Sequence, residues 1–353
     1  MVLNIPENCQ DQLKPLLQLY NHVEKTHEGC GKLAVFEVLA DASNSSALII
    51  SSSGTGKSAV MKMISDNVHR DKMVLDSITV AGLKHIAKKL AHSNYSIFVD
   101  DISKGGTEYS QVATVTSLGE LVYSGFTTKY NASLNLNIEG FRGSAMMNAQ
   151  PLMLKRILRA DEFETDIRDK VFRFYHLHQP KKVVLEPPKD PINYHYDYYT
   201  VNMPSGLYMS KIWRETVKLF QIEFKKARAE EHLTAIIKAS ALINDRTSVE
   251  QADIYLVNAL CGCFYIETEL FNKKDLEGER LLDVNIIPLL SFIVTWGEVT
   301  LEQIMIETQV KRSRLYEILQ MNRQWVRLIK EKNQQLMIPT PACKQLLKDM
   351  GEN

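Results

Sequence analysis

An eight-residue segment, Ser51-Ser-Ser-Gly-Thr-Gly-Lys-Ser58, constrains this chain more than any other part of its sequence. It follows an apolar run at 47–50 and precedes a helix-like run at 59–64. A strand, a glycine-rich turn ending in Gly-Lys-Ser, and a helix form a nucleotide phosphate-binding loop, because the N–H groups of the turn and of the helix N-terminus point at the phosphates. We call residues 51–58 the phosphate loop. Its first position departs from the consensus glycine, since Ser51 stands there.

The side chains of the phosphate loop have distinct expected roles. Lys57 is expected to reach the β- and γ-phosphates, and the Ser58 hydroxyl to bind Mg²⁺. The other predicted nucleotide-binding residues are Ser53, Gly54, Thr55 and Gly56. The alternative is a surface linker of serine and glycine that happens to end in Lys-Ser.

Composition places the chain among ordinary globular proteins. It has 353 residues, is 45% hydrophobic and 24% charged, and has a formal net charge of zero. The length allows two or three domains. Because the whole-chain charge does not indicate a nucleic-acid partner, only local clusters can.

Several features indicate an intracellular protein, which we expect to be cytoplasmic. The five cysteines are odd in number and lack metal-ligand spacing, so reduced, mostly buried thiols are expected. The N-terminus lacks the charged-then-apolar pattern of a signal peptide. No apolar run approaches the roughly 20 residues that span a bilayer, and no membrane partner is expected.

The order of predicted elements indicates an α/β fold. Predicted strands alternate with amphipathic helices, which favours a parallel sheet covered on both faces. A proline-rich stretch beginning at Pro180 then changes the composition. We predict a helical N-terminal segment (1–30), a nucleotide-binding core (31–180), a linker or arm (181–208), a helical lid (209–275) and a compact C-terminal unit (284–353).

Two acids and one amide follow predicted strands of the core. Asp100 and Asp101 end an apolar strand, where one carboxylate can bind the metal and the other can polarise an attacking water. We assign the metal role to Asp100 and the base role to Asp101; the alternative is a turn capped by two acids. Asn148 ends another strand and could position the water, although an asparagine there is also an ordinary turn residue.

These three elements, in this order, resemble the AAA+ ATPases over roughly residues 30–265. The phosphate loop matches Walker A, Ile97–Asp101 matches Walker B, and Asn148 matches sensor 1. Residues 233–254 resemble the family's lid, with Thr247 or Ser248 expected to cap its second helix. The resemblance implies binding of ATP with Mg²⁺, hydrolysis, and a homo-oligomeric ring, with a hexamer expected. Most such motors have Glu where this chain has Asp101.

The resemblance also implies an arginine that completes the neighbouring subunit's site. Strict register places Lys170 there, but Arg168 lies two residues earlier and is our choice; Arg156 and Arg159 are further candidates, and any of them could be a surface charge. The family's sensor-2 arginine stays unassigned. Glu231 occupies its register, with Arg228 and His232 nearby.

Two regions predict contact with DNA, and the first is the C-terminal unit. Residues 284–353 read as helix, helix, turn, helix and hairpin, which is a winged-helix layout whose basic helix would enter a major groove. That helix opens with three cations, Lys311, Arg312 and Arg314, which are the predicted DNA-binding residues. Neutralisation of phosphates would supply most of the affinity. A winged helix used for protein contacts, or a solvated basic face, is the alternative.

The second region is an insertion at 119–140, before the strand of Asn148, which is expected to contain paired strands. DNA-translocating members of the family carry a hairpin at this place. Lys129 is the expected DNA-tracking cation, with Tyr130 stacking on a base. A plain surface hairpin is the alternative.

Together these expectations describe a P-loop AAA+ core with a parallel sheet, a helical lid and a C-terminal winged-helix domain. The order resembles minichromosome-maintenance-type helicases and branch-migration motors. It implies an ATP-hydrolysing DNA helicase or translocase in replication. The loose match to cellular families suggests a virus or mobile element as its source. The alternative is an ATP-switched initiator or helicase loader that does not unwind DNA, and a weaker one is a regulator or transposition target-selector.

Overall fold

A computed structural model describes residues 3–130, 135–151, 166–176, 198–263, 286–308, 325–331 and 334–341, with single positions 153, 154, 157, 312, 315, 343 and 344. The helices are α1 (Glu7–Gln10), α2 (Lys14–Thr26), α3 (Gly31–Ala42), α4 (Lys57–Asn67), α5 (Val80–Leu90), α6 (Glu108–Ser124), α7 (Lys211–Glu223), α8 (Lys226–Ile243), α9 (Gln251–Leu260), α10 (Ile286–Trp296) and α11 (Leu301–Thr308). The strands are β1 (Ser46–Ile50), β2 (Lys72–Leu75), β3 (Ser96–Val99), β4 (Thr127–Tyr130), β5 (Asn135–Ile138), β6 (Ser144–Ala149), β7 (Val171–Tyr175), β8 (Val299–Thr300), β9 (Val326–Glu331) and β10 (Gln334–Pro339).

The central sheet has five parallel strands in the order β2-β3-β6-β1-β7. Strand β1 shows how the sheet is covered. Its side chains alternate, so Ala47 and Ile49 join one hydrophobic cluster while Leu48 and Ile50 join another on the opposite face. A strand buried on both faces needs an uninterrupted apolar sequence, which the run at 47–50 supplies. The predicted α/β class, with a parallel sheet flanked by helices, is confirmed.

The N-terminal helices pack into the molecule. Leu13, Leu16 and Val23 are buried in the same cluster as Phe36 of α3. That cluster also includes residues of α7, α8 and α9. The N-terminal helices therefore share one hydrophobic cluster with α3 and with α7, α8 and α9.

The turn between α8 and α9 corrects one expectation. Neither Thr247 nor Ser248 caps α9: Glu250 is the N-cap, and its side chain and that of Asp253 form a reciprocal capping box. Arg246 binds Asp253 at 2.6 Å and also donates to the Gln12 carbonyl, at 3.3 Å. The cap is an acid because a carboxylate accepts the free N–H groups of the first turn and is favoured by the helix dipole there.

The insertion before β6 forms an antiparallel hairpin of β4 and β5. It is shorter than expected, because residues 119–124 belong to α6, which ends at Gly125 in the left-handed region (φ 76°). Leu136 and Ile138 are fully buried, whereas Tyr130 is 67% exposed. The hairpin is thus fixed to the core through β5.

The C-terminal unit contains α10, α11 and a three-stranded antiparallel sheet in the order β8-β10-β9. Thr300 and Gln303 cap α11 reciprocally, at 2.8 and 3.2 Å. The two strands expected in this unit are present as β9 and β10, which pair antiparallel. Lys311 and Arg314 lie outside the described residues, and Arg312 is an exposed helical residue.

All five cysteines are buried and form no disulfide, as expected. Within the described ranges, the helices are too short or too polar to cross a bilayer.

Candidate nucleotide-binding site

The strand order brings the three predicted site elements to one edge of the sheet. Strand β6 lies between β1 and β3, so its end separates the phosphate loop from the acids after β3. Asn148 is the register partner of Ile49, and Met147 that of Val99. Asn148 is therefore level with Asp100, the residue after Val99. Carboxyl ends of parallel strands are where α/β proteins bind their ligands.

The phosphate loop leaves β1 and enters α4 through two glycines with positive φ. Gly54 has a φ of 80° and Gly56 a φ of 89°, conformations that L side chains rarely adopt. Lys57 is the first residue of α4. The free N–H groups of that helix end therefore face the loop, as anion binding requires.

The hydroxyl groups of the loop hold it closed. Ser51 and Thr55 share a hydrogen bond of 2.5 Å between their side-chain oxygens, and Thr55 also donates to the Ser52 carbonyl at 3.0 Å. Lys57 Nζ donates to that same carbonyl at 3.1 Å. Ser53 and Ser58 are exposed. The loop is thus organised by its own side chains.

Lys57 faces both acids. Burial lowers the pKa of its ammonium group, while the carboxylates of Asp101 and Asp100 act in the opposite direction and Lys104 adds to the lowering. A cation at the helix start and two carboxylates across from it form the charge arrangement that a magnesium-bound triphosphate needs.

The two acids have different surroundings. Asp100 lies 3.8 Å from the Lys104 ammonium. Asp101 Oδ1 accepts the Ser103 N–H at 2.9 Å, and Asp101 Oδ2 accepts from the Gln150 amide at 3.5 Å. Asp101 therefore caps a short turn, as the alternative interpretation expected, while its charge also acts on the pKa of Lys57.

Asn148 is fully buried on the α4 side of the sheet. Its amide nitrogen donates to Met61 Sδ at 3.5 Å, and its oxygen Oδ1 has no hydrogen-bond partner among the described residues. A buried oxygen without a donor costs about 1–3 kcal/mol, so a donor bound beside it would be stabilising.

The candidate arginine, Arg168, lies at the amino edge of the sheet, where the strands begin. The phosphate loop lies at the carboxyl edge. Val171 is the register partner of Ser46, the first residue of β1, and Arg168 precedes Val171 by three residues. Five residues of strand span roughly 16 Å, so Arg168 does not reach its own phosphate loop. Lys170 binds Asp166 at 2.8 Å. Arg156 and Arg159 lie outside the described residues.

The sensor-2 candidates also lie at that amino edge. His232 Nε2 donates to the Asp169 carbonyl at 2.8 Å, and Arg228 lies 4.8 Å from the centre of the Tyr123 ring and binds Glu231 at 2.8 Å. These residues join α8 to α6 and to the start of β7. They are not brought to the phosphate loop.

A cavity of about 1360 Å³ opens at the same amino edge. Asn44, Arg142, Lys170, Tyr199 and Glu231 are among its lining residues. It lies at the opposite edge of the sheet from the phosphate loop. Despite its size, it is therefore not part of the candidate nucleotide site.

Sequence reasoning missed two residues that touch the phosphate loop. His176 Nε2 lies 2.9 Å from the Thr55 carbonyl oxygen, and Cys30 Sγ lies 3.5 Å from it. His176 follows β7 and Cys30 precedes α3, so both are distant in sequence from the loop. The only available signal was that each adjoins an element packed against β1.

The comparisons with known proteins add no family. A scan against protein-family models found no match to this chain, and a search of curated proteins found none either.

Proposed function

We propose that this chain is a magnesium-dependent ATPase of the AAA+ type that forms a ring and acts on DNA as a helicase or translocase. The observation that carries the proposal is the strand order, which puts the phosphate loop, Asn148 and the two aspartates side by side. If the loop sequence were a chance match, the acids and the amide would have no reason to lie at the same edge of the sheet as the loop.

Each residue of the site would have a distinct role in ATP binding or hydrolysis. The loop N–H groups and Lys57 hold the phosphates, and Ser58 with Asp100 would hold the metal. Mg²⁺ held by Ser58 and Asp100 would supply positive charge that offsets the negative charge of the phosphates. Asp101 would orient the attacking water from one side and Asn148 from the other.

A role on DNA is supported by the hairpin and by the C-terminal unit. Lys129 lies on β4 next to the exposed Tyr130, a pair suited to a phosphate and a base. In its described residues the C-terminal unit has the helices α10 and α11 and an antiparallel sheet, a composition compatible with a winged helix. Arg168, remote from its own loop, suits a ring in which it serves the neighbouring subunit.

The second candidate is an ATP-switched initiator or loader. It is favoured by the hydrogen bonds of Asp101 to Ser103 and Gln150, because a carboxylate engaged in this way is less available to a water. Slow hydrolysis coupled to assembly would then replace movement along DNA.

The test measures three properties of the wild type and of Lys57→Ala. They are binding of a fluorescent ADP analogue with Mg²⁺, ATP hydrolysis with and without DNA, and displacement of a DNA strand. The motor predicts all three for the wild type alone. Nucleotide binding with slow hydrolysis and no strand displacement would favour the switch, and absence of nucleotide binding by the wild type would reject both.

A further inference from the structure

The Thr55 carbonyl is held by two buried side chains from separate parts of the chain. His176 is 4% exposed, and Cys30 and Thr55 are 0% and 1% exposed. Since a carbonyl oxygen only accepts, His176 Nε2 must carry a hydrogen at this 2.9 Å contact. Cys30 Sγ lies 3.6 Å from the same nitrogen, so the three groups form one cluster.

Hydrogen bonds hold the backbone at His176 and on both sides of Cys30. The His176 N–H donates to the Ile50 carbonyl at 2.9 Å, at the end of β1. Cys30 lies between Gly29 and Gly31, whose N–H groups both donate to the Glu24 carboxylate at 2.8 Å. The cluster therefore ties the loop to the end of β7 and to the N-terminal helices.

Peptide geometry links this contact to phosphate binding. The Thr55 carbonyl and the Gly56 N–H belong to one planar trans peptide and point in opposite directions. Holding the carbonyl toward His176 therefore turns the Gly56 N–H toward the other side of the loop. We propose that His176 is a positioning residue that orients this N–H group for a bound phosphate, an inference that rests on the proposed function.

The cluster does not suit a nucleophilic cysteine–histidine pair. Burial, then the nearby Glu24 and Glu37, raise the pKa of the Cys30 thiol to about 12. A thiolate is the reactive form, so a buried and protonated thiol does not attack a substrate. Cys30 acts as a second donor to Thr55.

The test compares His176→Gln with His176→Asn. Both carry an amide, but only the longer glutamine reaches the place of Nε2. His232→Asn is the matched control, because His232 is also buried and donates to a carbonyl, at the opposite edge of the sheet. The measured quantity is the Kd of a fluorescent ADP analogue with Mg²⁺, beside the thermal midpoint of each variant.

We expect His176→Asn to weaken binding about tenfold and His176→Gln to stay within about threefold of wild type, since one hydrogen bond separates them. His232→Asn should lower the thermal midpoint and leave the Kd near the wild-type value. Equal affinities of His176→Asn and wild type would overturn this inference alone. An equal loss in the control would do the same, and a wild type that binds no ADP would overturn the proposed function with it.

Discussion

Ser51 and Thr55 are joined by a 2.5 Å hydrogen bond across the phosphate loop. Ser51 stands where the consensus loop has glycine, and its side chain is fully buried. The departure from consensus is thus compensated by a bond that a glycine could not make. The loop of this chain is closed by hydroxyl groups of its own.

Replacing Ser51 tests this closure. We expect Ser51→Ala to lower the free energy of unfolding by about 1 kcal/mol, the usual net value of one hydrogen bond. Ser51→Gly should lower it further, because glycine gains more freedom in the unfolded chain. Urea titrations of both variants measure the difference. Unchanged midpoints would show that the 2.5 Å bond does not stabilise the loop.

Two buried carboxyl groups lie one turn apart on α3, and replacing them is expected to change the stability of the fold in opposite directions. Asp41 binds Arg70 and Ser96, each at 2.6 Å. Glu37 is fully buried, and neither of its oxygens has a hydrogen-bond partner among the described residues. Burial raises the pKa of Glu37 well above its ordinary value.

The raised pKa of Glu37 fixes the sign of a pH dependence. Between its ordinary value of about 4.3 and its raised value, the folded chain holds a proton that the unfolded chain has lost. The contribution of this group to stability is therefore greatest below the ordinary pKa and falls as pH rises through this window, by up to about 1.4 kcal/mol per pH unit.

We expect Glu37→Met to remove that slope and to raise stability near neutral pH by about 1–3 kcal/mol, because a buried unpaired polar group is lost. Asp41→Asn is the contrasting variant and should cost about 3–5 kcal/mol, since it removes the negative charge that is paired with the buried Arg70. Urea titrations from about pH 5 to 8 span the window above the ordinary pKa and check both. Parallel curves for Glu37→Met and wild type would contradict the assignment.

The sheet and its loop could be predicted from local sequence, but their contacts could not. The apolar run at 47–50, the glycine turn and Asp100 are each recognisable within a few residues. The position of Asn148 beside Asp100 depends on β6 inserting between β1 and β3, which is a property of the whole sheet.

Contacts between distant segments leave no pattern in the sequence. His176 meets Thr55 across 121 positions, and nothing in its own neighbourhood indicates the loop. The predicted cap of α9 is wrong for a related reason, because Thr247 and Ser248 are both good caps and the register of the turn decides for Glu250. Propensity identifies which residue types can cap a helix, and the tertiary structure decides which residue takes the cap position.

Asp101 is the residue on which hydrolysis should depend. We expect Asp101→Asn to reduce the ATP hydrolysis rate about a hundredfold or more, as loss of a general base does, while the Kd for ADP changes little. Steady-state phosphate release and nucleotide titration measure the two effects. Gln150→Ala, which removes the 3.5 Å contact to Asp101, serves as the comparison. If Asp101→Asn hydrolyses ATP at the wild-type rate, another group acts as the base.

Arg168 lies at the edge of the sheet opposite its own phosphate loop, so its expected action is on a neighbouring subunit. Arg168→Ala and Lys57→Ala should each lack ATPase activity alone, for different reasons. Mixing equal amounts of the two before random assembly should restore activity at about a quarter of the sites in a ring, where an intact loop meets an intact arginine. Phosphate release from the mixture, at constant total protein, measures this recovery. A mixture as inactive as its components, although both assemble, would exclude Arg168 as the group supplied between subunits.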